Sequence, residues 1–93
     1  MELNTAEQKY FSAFLSKLKP KEQGLLYLKR LSNGTIEPYF NTYIIGKVHL
    51  QGEKYWMQIF KNLTQVEIFE GNLEEMIEKQ NETIKYIRKY CKD

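Results

Sequence analysis

The segment Pro20-Lys21-Glu22-Gln23-Gly24-Leu25-Leu26-Tyr27-Leu28-Lys29-Arg30-Leu31-Ser32-Asn33-Gly34 is compatible with two backbones. Read as a helix, it has Pro20 in the first turn and Gly34 in the left-handed position after the last. Lys21 to Leu31 holds no β-branched residue, and Gln, Glu, Leu, Lys and Arg are good helix formers. Leu25, Leu28 and Leu31, with Leu26 beside them, keep helical spacing, and Gly24 costs about 1 kcal/mol relative to Ala. Read as a strand, Gly24–Leu31 is one arm of a hairpin whose type I′ turn is Asn33-Gly34. Propensity favours the helix. The expected fold is therefore α+β: an N-terminal helical pair, a three-stranded antiparallel meander and a C-terminal helix packed on the sheet. The strand reading gives instead a five-stranded antiparallel sheet between an N-terminal and a C-terminal helix.

On the N-terminal side, a helix is expected from about Thr5 to Leu18. Asn4 or Thr5 caps it, with Glu7 or Gln8 at the capping-box spacing. Leu3, Ala6, Tyr10, Phe14 and Leu18 form one stripe, widened by Phe11 and Leu15. On the C-terminal side the period changes to two. Ile44, Gly46, Val48 and Leu50 alternate with Tyr43, Ile45, Lys47 and His49. Tyr55, Met57 and Ile59 alternate with Trp56, Gln58 and Phe60, and Val66 and Ile68 with Gln65, Glu67 and Phe69. Pro38 is expected to keep Thr35–Glu37 at an edge or in a loop.

The last element is the plainest helix. Gly71-Asn72 supplies the cap, and Leu73, Met76, Ile77, Gln80, Ile84, Ile87 and Cys91 share one face. Glu74, Glu75, Glu78 and Glu82 fill its first half, and Lys85, Arg88, Lys89 and Lys92 its second, an order that complements the helix dipole. Ile77, Ile84 and Ile87 are expected to pack on Val48, Met57, Ile59 and Val66. That leaves Trp56 on the opposite face of the sheet, unless the N-terminal helices cover it.

Ninety-three residues, 42% hydrophobic and 28% charged with thirteen aromatics, make one globular domain and exclude disorder and low complexity. No apolar run is long enough to span a bilayer, so no membrane partner is expected. The first residues show no secretory signal, and a cytoplasmic location is the expectation. Lysine outnumbers arginine 12 to 2, the bias that AT-rich coding leaves. Six Gln and six Asn argue against a hyperthermophile. A mesophilic low-GC microbe, or a mobile element of one such as a phage or plasmid, fits these biases.

Catalytic chemistry is not indicated. His49 and Cys91 are the sole histidine and cysteine, about forty residues apart, with no metal-ligand spacing and no orienting third group. Cys91 lies on the apolar stripe of the last helix and reads as an inert core thiol. Asp93 is the single aspartate, and the eleven glutamates fall mostly on helix surface and turns. The five glycines form no phosphate-cradling cluster. A non-enzymatic chain without cofactor or metal is expected.

Binding has more to work with. Residues 1–34 carry six Lys/Arg against three Glu, residues 35–71 three Lys against four Glu, and residues 72–93 five of each sign. Positive charge gathers at Lys17, Lys19, Lys21, Lys29 and Arg30, and again on the second half of the last helix. The mixed face of the meander holds Tyr43, Lys47, His49, Trp56, Gln58, Gln65 and Glu67. Gln reads adenine bidentately, Lys reaches guanine, and a sheet enters the major groove.

Residues 46–90 resemble the βββα unit of AP2-type and integrase arm-type DNA-binding domains. The resemblance rests on Gly46-Lys47-Val48-His49-Leu50, Lys54-Tyr55-Trp56-Met57-Gln58-Ile59, Val66-Glu67-Ile68-Phe69 and the helix Leu73–Tyr90. It implies that the exposed sheet face enters the major groove, with contacts from Lys47, His49, Trp56, Gln58 and Gln65. The family's strands are arginine-rich, whereas this segment has none before Arg88. The expectation is a small DNA-binding accessory or regulatory protein of a mobile element, acting on double-stranded DNA as a dimer, with Lys17, Lys19, Lys21, Lys29 and Arg30 on phosphates. The alternative is a protein-binding inhibitor or interaction module of anti-defence type, which docks on a host or partner protein through Trp and Tyr. In that reading an acidic stripe, Glu67, Glu70, Glu74, Glu78 and Glu82, imitates phosphates.

Overall fold

The computed structural model describes residues 2–91, so Lys92 and Asp93 lie outside the described residues. In chain order the elements are α1 (Thr5–Ser16), α2 (Pro20–Gln23), β1 (Leu26–Arg30), β2 (Ile36–Phe40), β3 (Tyr43–Ile44), β4 (Gly46–His49), β5 (Tyr55–Phe60), β6 (Val66–Gly71) and α3 (Leu73–Tyr90). The class is α+β as expected. The antiparallel sheet runs β1-β2-β4-β5-β6, with β3 a short addition to β2.

The ambiguous segment is divided. Only Pro20–Gln23 is helical, with proline in its first turn. Leu26–Arg30 is a strand, in register from Leu26↔Phe40 to Arg30↔Ile36. The helix expected over residues 21–31 is thus confined to one turn. Tertiary pairing outweighs propensity because β2 would otherwise have an open edge in an interior position. The strand also sends Leu26 and Leu28 to the core and Arg30 to α1. The connecting turn is not type I′. Gly34 alone is left-handed (φ 88°), Leu31 and Gly34 close the turn, and Leu31 N–H bonds Thr35 O at 2.8 Å. This is the three-residue hairpin loop with a glycine bulge.

Pro38 also departs from expectation, since β2 is interior and buried on alternate residues. The second hairpin explains it. Asn41 and Thr42 both have positive φ (52° and 71°), which makes a two-residue turn between β2 and β3. Tyr39 pairs with Ile44, but Ile36 pairs with Val48, so the returning strand holds one residue more than its partner. That extra residue is a β-bulge at Ile45-Gly46, where Gly46 takes φ 143°. Ile45 N–H bonds Pro38 O at 3.0 Å. The donor that proline lacks therefore falls at the bulge, where the ladder is already broken.

Both long helices lie on one face of the sheet. Tyr10 and Phe11 of α1 and Met76 of α3 meet Ile36, Val48, Leu50, Met57 and Ile59; Phe14, Leu18, Ile84, Tyr86 and Ile87 meet Phe40 and Ile45. Each helix begins with a full capping box, Asn4 with Glu7 and Asn72 with Glu75. Val66 is not part of this core. In the β5–β6 register Ile68 faces Gln58 on the far side, while Val66 pairs with Phe60, which packs on Tyr86 of α3; Ile68 and Val66 are 58% and 54% exposed. Phe69, paired with Met57, is the apolar β6 residue that turns inward. The apolar side of this edge strand is the outer one.

Ile84→Ala should lose about 2–5 kcal/mol in denaturant unfolding, whereas Val66→Ala should stay within about 0.5 kcal/mol of the parent. Gly46→Ala should cost on the order of 1–3 kcal/mol from backbone strain. A Cβ there would sit 2.4 Å from the Gln58 carbonyl oxygen.

Candidate interaction surface on the open sheet face

With both helices on one side, the other side of the sheet is bare. Strand alternation presents Tyr27 and Lys29 from β1, Glu37 and Tyr39 from β2, Lys47 and His49 from β4, Trp56 and Gln58 from β5, and Ile68 and Glu70 from β6. Register aligns them in rows across the strands. One row runs Lys29, Glu37, Lys47, Gln58, Ile68; the next runs Thr35, His49, Trp56, Glu70.

The rows are held by their own contacts. His49 stacks on Trp56 with ring centroids 5.6 Å apart and planes 15° from parallel. The His49 ring is fixed from behind by Thr35, with Oγ1 and Nδ1 3.1 Å apart. Lys47 lies 4.0 Å from Glu37, and Tyr39 donates its hydroxyl to Glu37 at 3.2 Å. Partial burial and the Glu37 carboxylate together raise the Tyr39 pKa, so the phenol stays protonated as that donor. Tyr27 packs on Tyr39 at 5.2 Å and is 58% exposed. The face thus carries two ordered aromatic pairs, one on either side of the row from Lys29 to Ile68, with Ile68 as an apolar flank. Lys29 and Lys47 against Glu37 and Glu70 leave it formally neutral.

Of the residues expected to bind, Lys29, Lys47, His49, Trp56 and Gln58 come together on this face. Gln65 does not. It lies in the β5–β6 loop, where its Oε1 accepts from Asn62 Nδ2 at 2.8 Å. Five residues separate it from Glu70, the cross-strand partner of Trp56, or about 17 Å along a strand. Lys19 and Lys21 are exposed around α2, which is tied to α1 by Gln23 and to α3 by Glu22.

Two of the expected phosphate contacts are already committed. Lys17 Nζ donates to the Ile77 carbonyl of α3 at 2.6 Å. Burial lowers its pKa, and nearby Glu78 partly restores it. Arg30 Nη1 and Nη2 donate to both oxygens of Glu7 at 2.9 and 2.8 Å, and also to the carbonyls of Gly34 and Glu2. Glu7 is fully buried. Burial alone would raise its pKa, but the Arg30 guanidinium and the Asn4 N–H outweigh that, with a smaller contribution from His49, and hold it below the usual carboxylate range.

The face also gains Tyr27, which the helical expectation for residues 21–31 leaves out, and Ile68, while Val66, expected against the last helix, is exposed instead. The edges of the sheet, in contrast, are guarded. Each edge strand turns one charge inward onto a helix or loop, Arg30 of β1 to Glu7 and Glu67 of β6 to Lys79 and Lys61. Inward charges on edge strands discourage strand addition, so the open face rather than either edge is the candidate surface.

Among the described residues no three His, Cys, Asp or Glu side chains are grouped to hold a metal ion. Cys91 is buried, and burial raises its thiol pKa, away from the reactive thiolate. No helix of the described residues is long and apolar enough to cross a membrane. Comparison with family models, curated proteins and solved structures gives no match.

Arg30→Met should cost about 3 kcal/mol, since it strands the buried Glu7 carboxylate. The pKa of Glu7 is lower folded than its ordinary 4.5. The pair's contribution is therefore present above that pH and lost as the pH falls below it. Acid unfolding followed by circular dichroism should be shallower below about pH 4.5 in Glu7→Gln than in the parent.

Proposed function

We propose that this chain is a non-enzymatic protein-binding module that docks a partner protein on the open face of its sheet. The observation that carries this reading is the face itself: two ordered aromatic pairs, His49–Trp56 and Tyr27–Tyr39, beside exposed Ile68 and Val66, with balanced charge. Large rigid aromatics on a neutral, partly apolar ground are the residues that dominate protein hot spots. The balanced charge fits a protein surface of mixed polarity better than the walls of a DNA groove, where one phosphate falls per about 1.7 Å of helix axis. Lys29 and Lys47 alone do not answer that density, and Glu37 stands between them. Val66 and Ile68 would meet hydrated phosphates there, but an apolar partner surface here.

The test is photo-crosslinking from position 68 in the cells of origin, followed by binding of the purified parent and trapped protein. Trp56→Ala combined with Ile68→Glu should lower that affinity at least about tenfold. The variant should keep its unfolding midpoint close to the parent's. Three outcomes overturn the reading: no purified protein binds, the face proves to be a contact between two copies of this chain, or duplex DNA binds and is lost on Gln58→Ala with Lys47→Glu.

A further inference from the structure

The charge missing from the sheet face is concentrated elsewhere. Arg88 of α3 bonds Glu22 of α2 at 3.2 Å and the Lys17 carbonyl at 3.5 Å. This contact brings the end of α1, the whole of α2 and the second half of α3 to one corner of the helical layer. Glu22 and Arg88 thereby link parts of the two basic clusters that lie about sixty residues apart in sequence. Lys19 and Lys21 approach from α2, and Lys85 and Lys89 flank Arg88 along an open groove floored by Ile84.

The pairing of charge makes this corner distinctive. Elsewhere four cations are matched: Arg30 with Glu7, Lys47 with Glu37, and Lys61 and Lys79 with Glu67 and Glu82. Lys19, Lys21, Lys85 and Lys89 form no ion pair among the described residues, and all four are exposed. Glu22, packed at the contact, accepts from the Lys19 N–H and from Arg88, which in that order hold its pKa low, and Glu82, beside Lys85 and Lys89, is spent on Lys61 and Lys79. The other lysines without an ion pair among the described residues and away from this corner, Lys9, Lys29 and Lys54, stand singly on other elements.

We infer that this corner binds the phosphate backbone of duplex nucleic acid, independently of sequence. Four lysines without an ion pair among the described residues, Lys89 resting on the Tyr90 ring, present with Arg88 a surface of one sign that a polyanion satisfies by counterion release. The only apolar side chain in the groove is the buried Ile84, so nothing there enters a lipid layer. This site is on the opposite side of the molecule from the sheet face, and it does not rest on the protein-binding reading.

The experiment is fluorescence anisotropy of the full chain with a labelled duplex of about 20 base pairs of arbitrary sequence, titrated between about 50 and 200 mM salt. Four lysine contacts predict a slope of about −3 to −4 in log K against log salt. Lys19→Gln, Lys21→Gln, Lys85→Gln and Lys89→Gln together should lower affinity at least tenfold and flatten the slope. The pair Lys85→Gln and Lys89→Gln should show an intermediate loss, which guards against misfolding of the fourfold variant. Trp56→Ala with Ile68→Glu should bind DNA within about twofold of the parent. The inference fails if the parent shows no affinity at about 50 mM salt, if the fourfold variant binds as well as the parent, if the sheet-face variant loses the DNA, or if polyglutamate displaces it at equal charge concentration.

Discussion

The bidentate pair between Arg30 and Glu7 is the contact on which the arrangement of this molecule hangs. It joins the first turn of α1 to the last residue of the edge strand β1, and the same guanidinium holds the Gly34 carbonyl of the following turn. Glu7 is also the third residue of the α1 capping box, so one carboxylate caps the helix and neutralises the strand. A fully buried carboxylate is costly unless both of its oxygens are answered. Here the Asn4 N–H and one guanidinium nitrogen answer Oε1, and the other guanidinium nitrogen answers Oε2. The pair therefore does more to specify position than to add net stability. With Arg30 turned inward, Tyr27 and Lys29 must turn outward, and the composition of the open face follows.

The second constraint is the bulge at Ile45-Gly46. Without the extra residue, the strand after the β2–β3 turn would keep one phase throughout, and Ile45 would lie on the same side as Lys47 and His49. The bulge lets Ile45 enter the core beside Phe40 while Val48 still enters beside Ile36. It also absorbs Pro38 in an interior strand. Gly46 is the residue that permits it, because its positive φ and the nearby Gln58 carbonyl leave no room for a Cβ.

These two features show where the sequence is legible and where it is not. The caps at Asn4 and Asn72, the stripe of α3 and the alternation of β5 follow from local spacing, and each stands where its residues put it. Residues 26–30 do not, because their propensity favours a helix and tertiary pairing overrides it. The decision lay in a partner strand and in a glutamate 23 positions away. Val66 departs from its expected place in the core for a related reason: apolarity identifies a core face only where the apolar side turns inward, and this edge strand exposes both Val66 and Ile68. Of the candidate site, the quartet Lys47, His49, Trp56 and Gln58 was legible because β4 and β5 keep strict alternation. The uses of Lys17 and Arg30 were not, since a cation's partner is a matter of tertiary placement.

The placement of charge then gives the two sides of the molecule different chemistry at a net charge of only +2. On the sheet face, acids and bases alternate across neighbouring strands, so their fields cancel within a few ångströms and aromatic contact area dominates. In the helical layer the acids fill the first half of α3 and the bases its second, and α2 adds Lys19 and Lys21 to the basic end. The order suits the dipole of α3, but the dipole asks for cations only in the last turn, where Arg88 and Lys89 already stand. Lys85 and the α2 lysines exceed that requirement, and their ammonium groups form no ion pair among the described residues. Charge gathered beyond what the dipole of α3 uses is the ground on which the polyanion proposal stands, and its sign is opposite to that of the first half of the same helix.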